Sequence, residues 1–277
     1  TRVLYFHIPS AWIAVLALGW AMVHSVLYLV KRDLKHDDQA AAAAELLAAA
    51  KRPVIYAGTG IHWARAWPQL KALAERLAAP VATSLGGKSA FPETHPLYGW
   101  HMGSNGTTCG NHLTAHADVL LAVGVRFADK ATSSYRPGYS FSIPPTKLIH
   151  VDIDPFEIGK NYPAEVGISG DARAVLRDLL GVVAEQAPPR AWQAAPYTAE
   201  IEAEVASWLD SFRALAEAGQ SPPTMGRVIA DVRRVLPQNG LVFTSAGNIQ
   251  AQVFQEMAFS LPRTYISAGG FSTMGWS

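Results

Sequence analysis

Two short apolar runs, Val119–Val123 and Leu148–Ile153, each ending abruptly in polar residues, constrain the fold more than any other feature of the chain. Runs of this length, rich in Val, Leu and Ile, are expected of strands buried on both faces of a parallel sheet. Ligands of α/β proteins lie beyond the carboxyl ends of such strands. Arg126, Asp129, Lys130, Asp152 and Asp154 fall at or just past those ends, so charge gathers where a molecule carrying phosphate and ribose would lie.

Three further runs, Val54–Ala57, Val81–Ser84 and Val166–Ser169, bring the count to at least five strands separated by helical patterns. That alternation predicts a doubly wound parallel α/β sheet. Between the first two runs, Ala64, Trp67, Leu70, Leu73, Ala74 and Leu77 share one face at helical spacing, which predicts a single amphipathic helix and one βαβ unit. Gly58-Thr59-Gly60 sits where strand turns into helix, and glycines there let a backbone approach a pyrophosphate. The third glycine of the dinucleotide fingerprint is missing, so a bare turn is an equal reading. Residues Phe91–Asn111 are rich in Gly, His, Asn and Thr, with no regular element expected. A polar loop of that length inside a compact domain is usually functional or mobile, and Gly103, Gly106 and Gly110 would let it lie flat against a ligand. Asp171 fits the N-cap of a helix beginning at Ala172, a reading that competes evenly with contact to ribose or adenosine.

Residues Glu185–Thr198, rich in Pro and Ala, read as a linker closing this domain. Helical patterns follow at Ala199–Ala218 and at Met225–Leu236, the latter capped by Thr224, and then a strand at Leu241–Thr244 opens a second α/β domain. The expected division is residues 1–38, 39–184 (central nucleotide-binding domain), 185–223 (linker and helix) and 224–277 (truncated second domain). A length of 277 residues accommodates one large or two ordinary cores. With 49% hydrophobic residues and a net charge of +1, the chain is globular and gives no reason to expect nucleic acid. The single cysteine, Cys109, excludes an internal disulfide, and no Cys/His cluster has zinc spacing, so a reducing, cytoplasmic setting is expected for residues 39–277. Cys109 itself reads as structural.

Residues Val3–Val30 contain no Asp, Glu, Lys or Arg, a longer run than the roughly 20 apolar residues that cross a bilayer. An N-terminal apolar, transmembrane-like helix is therefore expected, with Lys31, Arg32 and Lys35 placing its end in the cytoplasm. A buried hairpin is the alternative. YFHIPSAWIA and YLVKRDLKHD, within residues 1–38, resemble cytochrome c assembly proteins of the haem-exporter C type. The resemblance implies haem handling and offers His7 and His24 as ligands, which one helix cannot assemble into a site. The two parts read as pieces of unrelated genes joined near Asp38.

From about Ala40 onward, PVIYAGTG, LLAVGVRFADK, LIHVDIDPFEIGKN and GISGDARAVL resemble the central domain of thiamine-diphosphate enzymes of the acetolactate synthase type. FTSAGNIQAQ and ISAGGFSTMG resemble the opening of their pyrophosphate-binding domain. The resemblance implies that Gly58, Thr59, Gly60, Met102, Gly103, Ser104, Asn105, Arg126, Phe127, Asp152, Ile153 and Asp171 line a flavin-adenine dinucleotide (FAD) site. It also implies that Ala246, Gly247, Asn248 and Ile249 form the diphosphate-side loop for thiamine diphosphate, and that Met274 props the bent cofactor. Ala128, Asp129 and Lys130 depart from the family's two acidic residues and arginine, and lysine lacks the bidentate grip of arginine on phosphate. The implied parent reaction is attack of a thiamine carbanion on a 2-oxo acid, loss of carbon dioxide, and transfer of the acyl carbanion equivalent to an acceptor. The family's glutamate domain and its magnesium motif are absent from the sequence, so no catalytic or metal-binding residue is assigned, Mg ligands are expected elsewhere, and the chain is expected to be an inactive fragment of a homo-oligomeric enzyme. Another thiamine-dependent lyase, decarboxylase or diketone hydrolase, or a non-catalytic flavin-binding module, is the alternative.

Overall fold

The computed structural model describes residues 34–132, 134–268 and 274–275, and the side chains of 34–37, 129 and 130 lie outside that description. The expected apolar helix at Val3–Val30 falls outside the described residues. Among those described, no helix is long and apolar enough to cross a membrane.

The described residues from 40 onward pack as one compact unit. Its frame is a six-stranded, all-parallel sheet: β1 (Pro53–Ala57), β2 (Val81–Thr83), β3 (Tyr98–His101), β4 (Val119–Val123), β5 (Lys147–Asp152) and β6 (Val166–Ser169). Their order is β3-β2-β1-β4-β5-β6, so the winding reverses between β1 and β4. Alternation along β1 and β4 divides the core as the period of two demands. Ile55, Ala57, Leu121 and Val123 face one apolar cluster, and Val54, Tyr56, Leu120 and Ala122 face the other. The first face is covered by α1 (Leu34–Ala49), α3 (Trp67–Leu77) and α6 (Ala172–Gln186), whose Leu70, Leu73, Leu77, Leu176, Leu179 and Val183 are buried. On the second face the cover is an aromatic cluster of Phe127, Phe141 and Tyr162 against Tyr56.

Two expectations are corrected. The helix predicted across Ala64–Leu77 is two, α2 (Thr59–Ala64) and α3, because Arg65 turns left-handed at φ 51° and Pro68 starts a new helix. The face Leu70–Leu73–Leu77 survives within α3. The stretch Phe91–Asn111 is not an irregular loop, for it holds β3 and α4 (Thr108–Ala115). Its strand reads YGWH, too short and too polar for a period to emerge, and burial among partners sets it. The Pro/Ala segment after α6 lies against the domain: Arg190 donates to the carbonyls of Ala48 (3.0 Å) and Ala50 (2.7 Å), and the Trp192 ring sits tilted against that of His95 at 4.9 Å.

Beyond it α7 (Pro196–Ala216) packs Ile201, Val205, Trp208 and Leu209 on the first core cluster. A short α5 (Asp129–Thr132) follows β4 earlier in the chain. The last elements are α8 (Met225–Val235), capped by the Thr224 hydroxyl accepting from Arg227 N (3.1 Å), β7 (Val242–Thr244), α9 (Asn248–Glu256) and β8 (Tyr265–Ser267). β7 and β8 pair in parallel as a separate two-stranded sheet.

Candidate functional site

At the carboxyl ends of β1, β4 and β5, where the strand order reverses, the chain forms a cleft of about 870 Å³. Its floor is built by close approach of two backbones. A Cβ on Gly58 would lie 2.1 Å from the Gly124 carbonyl oxygen, and one on Gly60 would lie 2.6 Å from Gly124 Cα. Gly124 itself adopts φ +63°. Gly58 N donates to Val123 O (2.9 Å) and Gly60 N to Gly124 O (3.3 Å), so the loops after β1 and β4 are fused. The glycines predicted to admit a pyrophosphate therefore serve first to admit each other. Only Thr59 and Gly60 of that triplet line the cleft.

The remaining predicted residues divide clearly. Met102, Asn105, Arg126, Phe127, Asp152, Ile153 and Asp171 line the cleft, whereas Gly103 and Ser104 do not. Gly103 instead holds the loop in shape, donating to Asn111 Oδ1 (3.0 Å) and accepting from its Nδ2 (3.1 Å). The Arg126 side chain is exposed, and among the described residues none of the ion pairs engages it. Phe127 is buried at φ 49°, a strained conformation for a bulky residue costing about 1–2 kcal/mol. Its carbonyl is held by Asn161 Nδ2 (3.1 Å) and by the Tyr135 hydroxyl (3.1 Å), while its ring packs on His150 and Tyr162. His150 pins the same loop: its Nε2–H donates to Val125 O (2.8 Å), Nδ1 accepts from Gly159 N (3.3 Å), and burial lowers its pKa.

The carboxylates have local partners. Asp152 Oδ1 accepts from Asp154 N (3.0 Å), and Asp171 Oδ1 accepts from Arg173 N and Ala174 N (both 3.1 Å), capping α6. Asp171 thus fulfils the capping reading while also facing the cleft.

Several lining residues carried no sequence signal. Ser84, Leu85 and Gly86 form one wall, and Gln250, Ala251 and Phe254 of α9 another. Two lining residues hold buried polar atoms with no hydrogen-bond partner among the described residues, the Tyr56 hydroxyl and Gln250 Nε2. Buried polar atoms are normally satisfied, so orphans beside a cleft point to a ligand with acceptors. Burial pushes the Tyr56 phenol pKa far up, keeping it a donor.

The thiamine-side residues are elsewhere. Ala246, Gly247, Asn248, Ile249 and Met274 do not line the cleft; Gly247 (φ 137°) precedes α9, and Met274 is 80% exposed. All of these residues except Ala246 are exposed, so on their own they do not surround thiamine diphosphate. Among the described residues no group of three His, Cys, Asp or Glu side chains gathers to hold a metal. Cys109 is buried and free, hydrogen-bonded to Thr107 Oγ1 (3.1 Å), and burial pushes its thiol up to about 11.

A doubly wound sheet with a cleft at its switch point is the α/β architecture whose members place their ligands at the reversal of strand order. Residues 40–179 match the central domain of the thiamine pyrophosphate enzymes, and the chain belongs to that family. It is 36% identical over 258 residues to a probable acetolactate synthase large subunit of Methanocaldococcus jannaschii, covering 88% of this chain and 41% of that protein. Acetolactate synthase of Mycobacterium avium is 32% identical over 242 residues (87% and 38%), and the acetolactate synthase large subunit of Corynebacterium glutamicum 33% over 250 residues (87% and 37%). The chain spans about two fifths of the length of these curated relatives. The family match begins at residue 40 and does not extend to the apolar stretch or its haem-exporter resemblance.

Proposed function

We propose that this chain is the central part of an acetolactate synthase-like enzyme that uses thiamine diphosphate to decarboxylate a 2-oxo acid and join the product to an acceptor, and that its cleft holds FAD. The observation that carries the reading is the cleft at the β1/β4 reversal, into which residues from the loops after all six strands of the sheet converge beside orphaned donors. Its volume suits a large organic cofactor. The exposed Arg126 guanidinium would face the pyrophosphate, a charge-assisted contact. Asp152 and Asp171 would accept from ribose or adenine, and Gln250 and Tyr56 would donate to ring acceptors. When bound, FAD supplies a flat ring system and a doubly charged linker. The protein supplies the walls, the orientation and the exclusion of water.

In this reading the thiamine diphosphate half-site is Ala246–Ile249 with Met274, completed together with magnesium ligands by segments outside this sequence, in a cytoplasmic homo-oligomer. The domain division 39–184, 185–223 and 224–277 belongs to the same proposal. A nucleotide-holding module without chemistry is the second reading, favoured by the contrast between a cleft built within the chain and a thiamine loop left exposed. FAD titrated into the full chain, followed by flavin fluorescence, tests the cleft. Saturable binding weakened roughly 10- to 150-fold by Arg126→Ala is expected, the worth of one charge-assisted hydrogen bond. A folded chain that ignores flavin refutes the assignment. Flavin binding without thiamine-dependent turnover of a 2-oxo acid, in the chain supplemented with its missing segments, would select the module.

A further inference from the structure

Behind the cleft lies a cation that neither the sequence motifs nor the proposed cofactor contacts use. Lys88 follows the wall Ser84–Leu85–Gly86, and its side chain is 0% exposed, as is that of Glu93. The ammonium has three hydrogens and three acceptors: Glu93 Oε2 (3.0 Å), His101 Nε2 (2.9 Å) and the Phe254 carbonyl (3.1 Å). Rings of Trp100, Phe254, Phe259 and Tyr265 surround it at 5.2–5.8 Å. Burial lowers the Lys88 pKa and Glu93 opposes that; His101 is pushed well below its ordinary value by burial and then by the Lys88 charge. His101 is therefore neutral, with Nε2 accepting and Nδ1–H donating to Thr83 Oγ1 (2.6 Å).

A buried ion pair contributes little net stability compared with an apolar pair of the same volume, so its use here calls for a geometric role. That role is visible in what the pair joins. Phe254 lies on α9 with Gln250 and Ala251, and all three line the cleft together with Leu85 and Gly86. Glu93 also accepts from Phe259 N (3.0 Å), just past α9, and the Phe254 ring stacks on His101 at 3.8 Å. We propose that Lys88 is the positioning residue of the cleft: seated by Glu93 and His101, it anchors α9 through the Phe254 carbonyl and so sets Gln250 and Ala251 beside Leu85 and Gly86 in the cleft lining. The proposal rests on the cleft being a ligand site, but its anchor is measurable without any ligand.

Hydrogen exchange on the full chain, with no nucleotide added, compares amides of α9 and β8 with those of β1 and β4. In Lys88→Met, α9 and β8 are expected to exchange at least tenfold faster while β1 and β4 stay protected; FAD affinity falls at least tenfold. Lys88→Met/Glu93→Gln leaves no unpaired buried charge, keeps the fold where the single variant does not, and shows the same selective loss. Uniform exchange changes across all four elements, or unchanged α9 and β8, overturn the anchor whatever flavin does. The selective exchange increase in the variants, together with a wild-type chain that takes no FAD, would sink the flavin reading alone. In the unaltered protein, nitrogen NMR of His101 is expected to report an Nδ1–H tautomer, and an Nε2–H tautomer overturns the network.

Discussion

Replacing Gly124 by alanine tests whether the fused loops hold the cleft. At φ +63° a Cβ costs about 1–2 kcal/mol, because the left-handed region crowds it against the backbone. The new methyl would also sit 2.5 Å from Gly60 Cα and 2.8 Å from Gly60 N, contacts that require the β1 and β4 loops to part. Overpacking of that kind costs about 1–3 kcal/mol more. A total of about 2–5 kcal/mol is a large fraction of a typical domain stability and corresponds to a fall in Tm of roughly 4–20 °C. Urea unfolding of the full chain measures the loss, and flavin titration at a temperature where the variant is folded measures the cleft. Gly181→Ala is the control: it lies in α6 with nothing within 4 Å of the added carbon, and removing a helical glycine is expected to stabilise by about 0.5–1 kcal/mol. If Gly124→Ala unfolds within about 0.5 kcal/mol of the parent, the loops relax freely and the close backbone approach is not what shapes the site.

Asp171→Ala is expected to cost about 1 kcal/mol by removing the α6 cap, whereas Asp171→Asn keeps the cap and discards only the charge. If Asp171→Asn leaves stability intact yet weakens FAD binding severalfold, the carboxylate faces the ligand; equal binding assigns Asp171 to the helix alone. Arg52 and Glu200 form a bidentate pair (2.7 and 2.5 Å), and hydrogen bonds from Arg52 hold the Glu200 carboxyl below its usual range. Its folded pKa lies below its unfolded one, so the contribution is present above the unfolded value and lost as pH falls through the folded one. The pair is about one-third exposed, so about 0–1 kcal/mol is expected. Urea midpoints of Glu200→Gln should trail the parent at neutral pH and converge with it as pH falls below the carboxyl's folded pKa; a gap that persists below it refutes the pairing.

Much of the frame is legible in residue order. Val119–Val123 and Val166–Ser169 are strands at the residues predicted, because apolar, β-branched runs of that length are buried in a central sheet. Thr224 and Asp171 cap helices where a side-chain oxygen precedes a helical pattern. Tyr98–His101 was not legible, since four mixed residues have no period, and only the sheet edge formed by β2 makes them a strand. The break at Arg65 was hidden by an apolar face that continues across it on the far side.

The candidate site divides in the same way. Strand ends announce themselves, because the pattern changes where a buried strand meets solvent, and so Arg126 and Asp152 could be placed beside a cleft from the sequence. Gln250 and Lys88 could not, for each depends on elements far apart in the chain: α9 against the loop after β2, and Lys88 against a carbonyl 166 residues away. Local patterning determines which segments become strands, helices and caps, because hydrogen bonding and burial of a short segment depend on its own side chains. Which glycine touches which loop, and which cation finds three buried acceptors, is decided only by the tertiary structure, because those energies exist only after chain closure brings the partners within hydrogen-bond distance.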